Sequence, residues 1–209
     1  MDGGYMGLAQ MTDSRIELCD GRLFDPLNPD PALMSIEVIS NALALCTRFA
    51  GQSRSFYSIA QHSVLVAVLS DQDHEAQRCA LLHDADECFG LPDLPTPVKP
   101  LFPEYVAAQK RIGAAVDARY RISPDLHARI KPADRQALLI EKRRLKDLRN
   151  AGYWSTWSAG VSLPDWISIE PLGPEQSLSL IRSAFRRVFR DKLPVDRDWI
   201  RTRPGFILA

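Results

Sequence analysis

Apolar positions recur at spacings of three and four through most of the chain, and at a spacing of two only near its start. Arg15–Cys19 alternates polar and apolar residues, Asp20-Gly21 is a turn pair, and Arg22–Phe24 can return as a second strand. A small hairpin is the expected result. From Ser35 the period changes: Ile36, Ile39, Leu43 and Cys46 predict a helix with Ser35 as its N-cap. Gly51–Ser55 reads as a loop, and Tyr57 or Ser58 opens a strongly apolar helix, IAQHSVLVAVLS. A third helix is expected from about His74 to Phe89. Four prolines between Pro92 and Pro100 forbid regular helix there and make LPDLPTPVKP a shaped loop. Pro103, at a first-turn position, opens a fourth helix over 103–120, and a fifth spans roughly 124–149. Residues 150–173 hold Trp154, Trp157 and Trp166 among Gly, Ser and Pro and read as a long ordered loop. A last helix over 174–190 precedes a polar tail.

These elements predict an all-α fold with one β-hairpin. So little strand cannot build a parallel sheet, which argues against dinucleotide-binding and P-loop folds. The chain divides into a flexible leader (1–13), a hairpin extension (14–34), a helical domain (35–191) and a tail (192–209). Its 209 residues are enough for one domain with a sizeable core. Acidic and basic residues balance at 26 each, so no global field draws nucleic acid or an anionic membrane. An anionic substrate would have to meet a local positive site. Cys19, Cys46, Cys79 and Cys88 show no C-x-x-C spacing and read as reduced, mostly buried thiols. The first residues lack a basic start with an apolar run, and no apolar stretch reaches the ~20 residues that span a bilayer. The expectation is a cytoplasmic protein with no membrane and no stable nucleic-acid partner.

The chemistry concentrates at LLHDADE, residues 81–87. An adjacent His-Asp pair ending an apolar helix is costly to bury unless paired or bound to metal. On a helix His83 and Asp84 sit about 100° apart, as neighbouring corners of a coordination shell. Glu87, four residues from His83 and three from Asp84, returns to that face. His62, inside the apolar helix, is a third candidate ligand, and Asp134, an acid in an apolar helical run, a fourth. Two imidazoles and two carboxylates without a thiolate suit one divalent ion among Mn, Fe, Co, Ni or Zn, with Mg a further candidate. Each residue has a plainer reading: His62 as a core or surface histidine, Asp134 as a first-turn acid, His83-Asp84 as a chance dipeptide. His74 and His127 lie in polar contexts and read as surface residues.

The order His62, His83-Asp84, Asp134 resembles the HD-domain superfamily of metal-dependent phosphohydrolases. YSIAQHSVLVA followed by ALLHDADECFGLPDLPTPVK is most similar to its bacterial 5'-deoxynucleotidase branch, over about residues 40–145. The resemblance implies that residues 35–191 form an HD-type domain holding one divalent ion on His62, His83, Asp84 and Asp134. It also implies a nucleotide substrate, a homodimer, and a loop in which Asp93 through Lys99 follow the HD pair. Two departures stand out. Pro92 replaces the branch's usual Gly before the loop Asp, and the substrate-contacting Arg-Trp pair falls at Arg48-Phe49, without the indole.

On that reading Glu87 orients or deprotonates the attacking water, and Arg48 and Lys99 bind phosphate. Asp93 accepts a hydrogen bond from the sugar or protonates the leaving oxygen. The expected activity is release of phosphate from deoxynucleoside monophosphates. Alternatives are a dNTP triphosphohydrolase, for which Arg54, Lys110 and Arg111 offer extra cations, and a non-catalytic nucleotide-binding module of the same fold.

Overall fold

A computed structural model describes residues 13–70, 72–146 and 148–208. Of the expected leader, all but Asp13 lies outside them. The hairpin forms as expected, β1 (Ile16–Glu17) antiparallel to β2 (Leu23–Phe24), with Ile16 opposite Phe24. Gly21 makes the turn at φ +82°, a left-handed conformation that glycine adopts at little cost. Phe24 is fully buried and packs on Phe89, ring centroids 4.9 Å apart, which fastens the hairpin to the core.

The body is helical. α1 (Ile36–Leu45) starts where Ser35 accepts a hydrogen bond from the Val38 amide at 3.2 Å. α2 (Ile59–Leu69) begins in the same way, with the Ser58 hydroxyl accepting from Gln61 N. Ile59 through Val68 are all buried. A helix with no polar face belongs in the middle of a bundle, and α2 packs against α1, α3 (His74–Leu82), α5 (Pro124–Leu145) and α7 (Pro174–Phe185). α4 (Pro103–Tyr120) crosses over the turn that follows α3. No described helix is long and apolar enough to cross a membrane.

Three expectations need correction. α3 ends at Leu82 rather than running to Phe89, and Ala85–Cys88 form a 3-10 turn. Residues 150–173 are not one loop: they contain α6 (Ala151–Ser158) and β3 (Ile167–Ile169). The segment after α7 is no polar tail either. It continues through a π-helical turn, Arg186–Arg190, into α8 (Arg197–Arg201) and β4 (Phe206–Leu208), which pairs antiparallel with β3.

Two buried glutamines hold this last segment. Gln61 donates to Glu170 O (2.9 Å) and Gly205 O (2.8 Å) and accepts from Leu172 N (3.0 Å). Gln77 donates to Val195 O (3.0 Å) and Ala67 O (3.2 Å) and accepts from Val195 N (2.8 Å). Each amide in the apolar interior thus has partners for both its donor and its acceptor, the condition for burying it cheaply. Val195 and Ile200 add fully buried apolar side chains from the same segment.

Candidate metal centre

His62 stands one turn into α2, fixed by a helix that is buried almost throughout. His83 caps the C-terminus of α3, and Asp84 follows with non-helical backbone angles. Asp134 lies midway along α5, with Glu141 two turns further on the same face. α2, α3 and α5 pack on one another, and that packing brings the four side chains together.

The Nε2 atoms of His62 and His83 face each other at 3.3 Å. Asp134 Oδ1 is 3.4 Å from His62 Nε2, and Asp84 places Oδ1 3.3 Å from His83 Nε2 and Oδ2 3.5 Å from His62 Nε2. Ligand atoms of His62, His83 and Asp134 all lie within 4.8 Å of one another, a group that can hold a metal ion. Asp84 sits beside this group, with one oxygen also 3.2 Å from the Arg48 guanidinium.

The other ring nitrogens decide what those Nε2 atoms can do. His83 Nδ1 is 2.8 Å from Ala80 O, a carbonyl that can only accept, so Nδ1 carries a proton. His62 Nδ1 donates to Glu141 Oε1 at 2.6 Å, both side chains wholly buried. With Nδ1 tied down on each ring, the neutral tautomers present two Nε2 lone pairs to one point. A carboxylate or carbonyl behind each histidine is the usual support of a metal-ligating imidazole. The donor set and its backing therefore fit a divalent cation.

Electrostatics give the same result. Burial and the Arg48 charge oppose a proton on His62, yet Glu141 and Asp134 outweigh them and push it up to about 9. Burial raises Asp134, but the two histidines and Lys131 carry it far below the ordinary carboxylate range. Asp84 is also lowered, burial being overcome by His83, Arg48 and His62. His83 is lowered too, chiefly by burial, which favours its neutral ring. The acids around His62 thus favour positive charge at its ring, while His83 favours its neutral form.

Around it opens a cavity of about 560 Å³. Arg48, Phe49, Asp84, Glu87, Asp93, Lys99 and Asp134, all expected site residues, line it. Glu87 reaches it by a route other than the expected one: in a 3-10 turn, with three residues per turn, positions 84 and 87 eclipse. Its carboxyl is pushed well above the usual range by burial and then by Asp84 and Asp93, and Oε2 has no hydrogen-bond partner among the described residues. Lys99 lies 2.8 Å from Asp93 and 4.0 Å from Glu87. Arg48 reaches both Asp84 and Glu141, at 3.2 and 3.7 Å.

Arg54 lines a different cavity, with Arg144 and Glu170, and Lys110 and Arg111 are exposed on α4. The additional cations at this cavity are Lys131, Arg135 and Lys146. His74 and His127 stand away from the metal group, on Val188 O and on Asp117 respectively. Cys19 is exposed and Cys79 buried, while Cys46 and Cys88 are half-buried, Cys88 at the end of the 3-10 turn and Cys46 against it. Glu141 and the aromatic residues of α6 were not apparent from sequence. Glu141 had one signal, its spacing of seven from Asp134.

No protein-family model matches the chain. It is 32% identical over 162 residues to the uncharacterized protein YfdR of Escherichia coli (strain K12), covering 78% of this chain and 87% of that one. It is 37% identical over 134 residues to an uncharacterized protein of Rhodobacter capsulatus, covering 60% of this chain and 68% of that protein. Identity of that level, across most of both sequences, places the chain in the same family as YfdR.

Proposed function

We propose that the protein is a metal-dependent phosphohydrolase of the HD type that releases phosphate from deoxynucleoside 5'-monophosphates. The observation that carries this reading is the meeting of His62 and His83 Nε2 with the Asp84 and Asp134 carboxylates at the wall of a cavity that also presents Arg48 and Lys99. A divalent ion held by these four residues supplies charge neutralisation at phosphorus and acidifies water at neutral pH.

The chain's own groups do the rest. Arg48, braced by Asp84 and Glu141, offers its remaining guanidinium edge to a phosphate oxygen as a planar fork. Lys99 adds a point charge, held in place by Asp93. Glu87 is the group that takes or returns the proton of the attacking water. Its buried oxygen without a hydrogen-bond partner among the described residues and its raised affinity for a proton suit a carboxyl that exchanges protons with water. Asp93, on the same cavity, accepts a hydrogen bond from the sugar hydroxyl.

One observation favours a second reading, the dNTP triphosphohydrolase. Arg135 and Lys146 line the cavity in addition to Arg48 and Lys99, and Lys131, 2.6 Å from Asp134, is a further cation there. Metal-stripped protein incubated with dAMP, dATP and AMP, with and without Co²⁺ or Mn²⁺, separates the two. Metal-dependent orthophosphate from dAMP supports the nucleotidase, and tripolyphosphate from dATP supports the triphosphohydrolase. No turnover of any of the three with metal bound would refute both.

A further inference from the structure

Part of the cavity wall is aromatic. Tyr153, Trp154, Thr156 and Trp157 of α6 line it together with Phe49. On a helix, positions 153, 154 and 157 share one face, and here that face is turned to the cavity instead of the core. No described side chain of α6 is fully buried, and Tyr153 is 55% exposed. Two tryptophans and a tyrosine on an eight-residue helix that contributes nothing to the core need another use, because large rings are normally kept for burial or binding.

Cations lie over two of these rings, and Phe49 also packs against the edge of the core. Lys142 Nζ lies 5.6 Å from the centre of the Trp154 ring, and Lys146 Nζ lies 4.4 Å from that of Phe49. Lys142 lies in the last turn of α5 and Lys146 is its C-cap, so Phe49 and Trp154 gather at the C-terminal end of that helix. Phe49 also sits at φ 58° and Ala50 at φ 50°, a left-handed conformation that residues with side chains rarely adopt. Strain of this kind persists where the surroundings enforce it, typically at a binding site. Lys146 helps to enforce it by donating to Gln52 O, just past the strained pair.

We propose that α6 is the base-recognition wall of the site, with Trp154 and Trp157, aided by Phe49, stacking on the nucleobase of a nucleotide whose phosphate faces the metal group. This rests on the nucleotide reading above and extends it. Phe49 offers one ring beside Arg48, and α6 brings two indoles to the same cavity from another part of the chain. The cavity volume falls within the range of small-molecule sites, and its lining combines charged groups with flat rings, as a nucleotide combines phosphate with base.

The test is calorimetric binding with two non-hydrolysable probes in the presence of Mn²⁺. One is the phosphonate analogue of dAMP in which a methylene replaces the bridging oxygen, and the other is inorganic phosphate. In Trp154→Ala and Trp157→Ala the analogue should bind about 5- to 150-fold more weakly, the affinity that one stacked ring supplies. Phosphate should bind as in the native protein, and Trp157→Phe should recover most of the loss. An equal fall for both probes, or no fall for either, would overturn the proposal. So would a native protein that binds the analogue no better than phosphate. Tight, tryptophan-dependent binding of the analogue by a protein that hydrolyses no nucleotide would uphold the wall and refute the phosphohydrolase.

Discussion

His62 Nδ1 and Glu141 Oε1 lie 2.6 Å apart, with neither side chain exposed to solvent. The carboxylate fixes the ring's tautomer and leaves Nε2 aimed at His83. Glu141→Gln keeps the volume but weakens the acceptor and introduces a donor. Metal affinity should fall about 10- to 100-fold, the usual cost of disturbing a group behind a ligand. Competition with a coloured chelator measures it, and an unchanged affinity would show that Glu141 only solvates Arg48.

Glu87 makes a different prediction, because it borders the metal group without belonging to it. Glu87→Gln should lower kcat by about 10²- to 10⁴-fold, the range for a well-placed proton-transfer group. Bound metal per protein should not change. If metal content fell along with turnover, Glu87 would be a ligand and its role in proton transfer would be lost.

The parts of this site that were legible in sequence share one property. His62, His83 and Asp134, the group that could hold a metal ion, are polar residues within, ending or opening apolar runs, and each stood out because burial there needed a reason. Glu141 has the same property but is followed by Lys142, Arg143 and Arg144, which make its surroundings look like a solvated helix face. α6 was hidden by the Gly and Ser around its aromatics, which mimic loop composition. The role of the last segment could not be read locally at all. Its anchors, Gln61 to Gly205 and Gln77 to Val195, join residues 144 and 118 positions apart.

Those anchors can be tested at Gly205. Its φ is +89°, and a Cβ there would come within 2.7 Å of Gln61 Nε2 and of Leu172 Cδ1. Gly205→Ala combines an unfavourable backbone conformation with overpacking and should cost about 2–4 kcal/mol. Gly160→Ala is the control: its φ is +71°, and nothing lies within 4 Å of an added Cβ. It should carry only the backbone part. Urea unfolding of both variants compares them, and equal losses would mean that the Gln61 contact bears no load.

His127 offers a pH test away from the metal group. Its Nε2 lies 2.9 Å from Asp117 Oδ2, and hydrogen bonds to Asp117 and Cys79 push it up to about 10 against a smaller opposing effect of burial. The folded value is above the unfolded one, so the contribution to stability is complete below about pH 6.5 and disappears as pH rises through about 10. The side chain is 40% exposed, and solvent screening limits the effect to about 1 kcal/mol or less. The stability gap between native protein and His127→Gln should therefore be widest in mild acid and narrow toward pH 10. A gap that stays constant over that range would show that the ion pair contributes nothing.

The clamp on Gln61 also sets an order of events during synthesis. Gly205 follows Gln61 by 144 residues, so at ~5–20 residues per second the ribosome needs about 7–30 s between them. Throughout that interval α2, greasy on every side, has emerged without the strand that completes its enclosure. The helix that carries His62, part of the group that could hold a metal ion, is thus a part of the nascent chain in need of a chaperone. Slow codons placed between β3 and β4 should lower the soluble yield more than the same codons placed before α2.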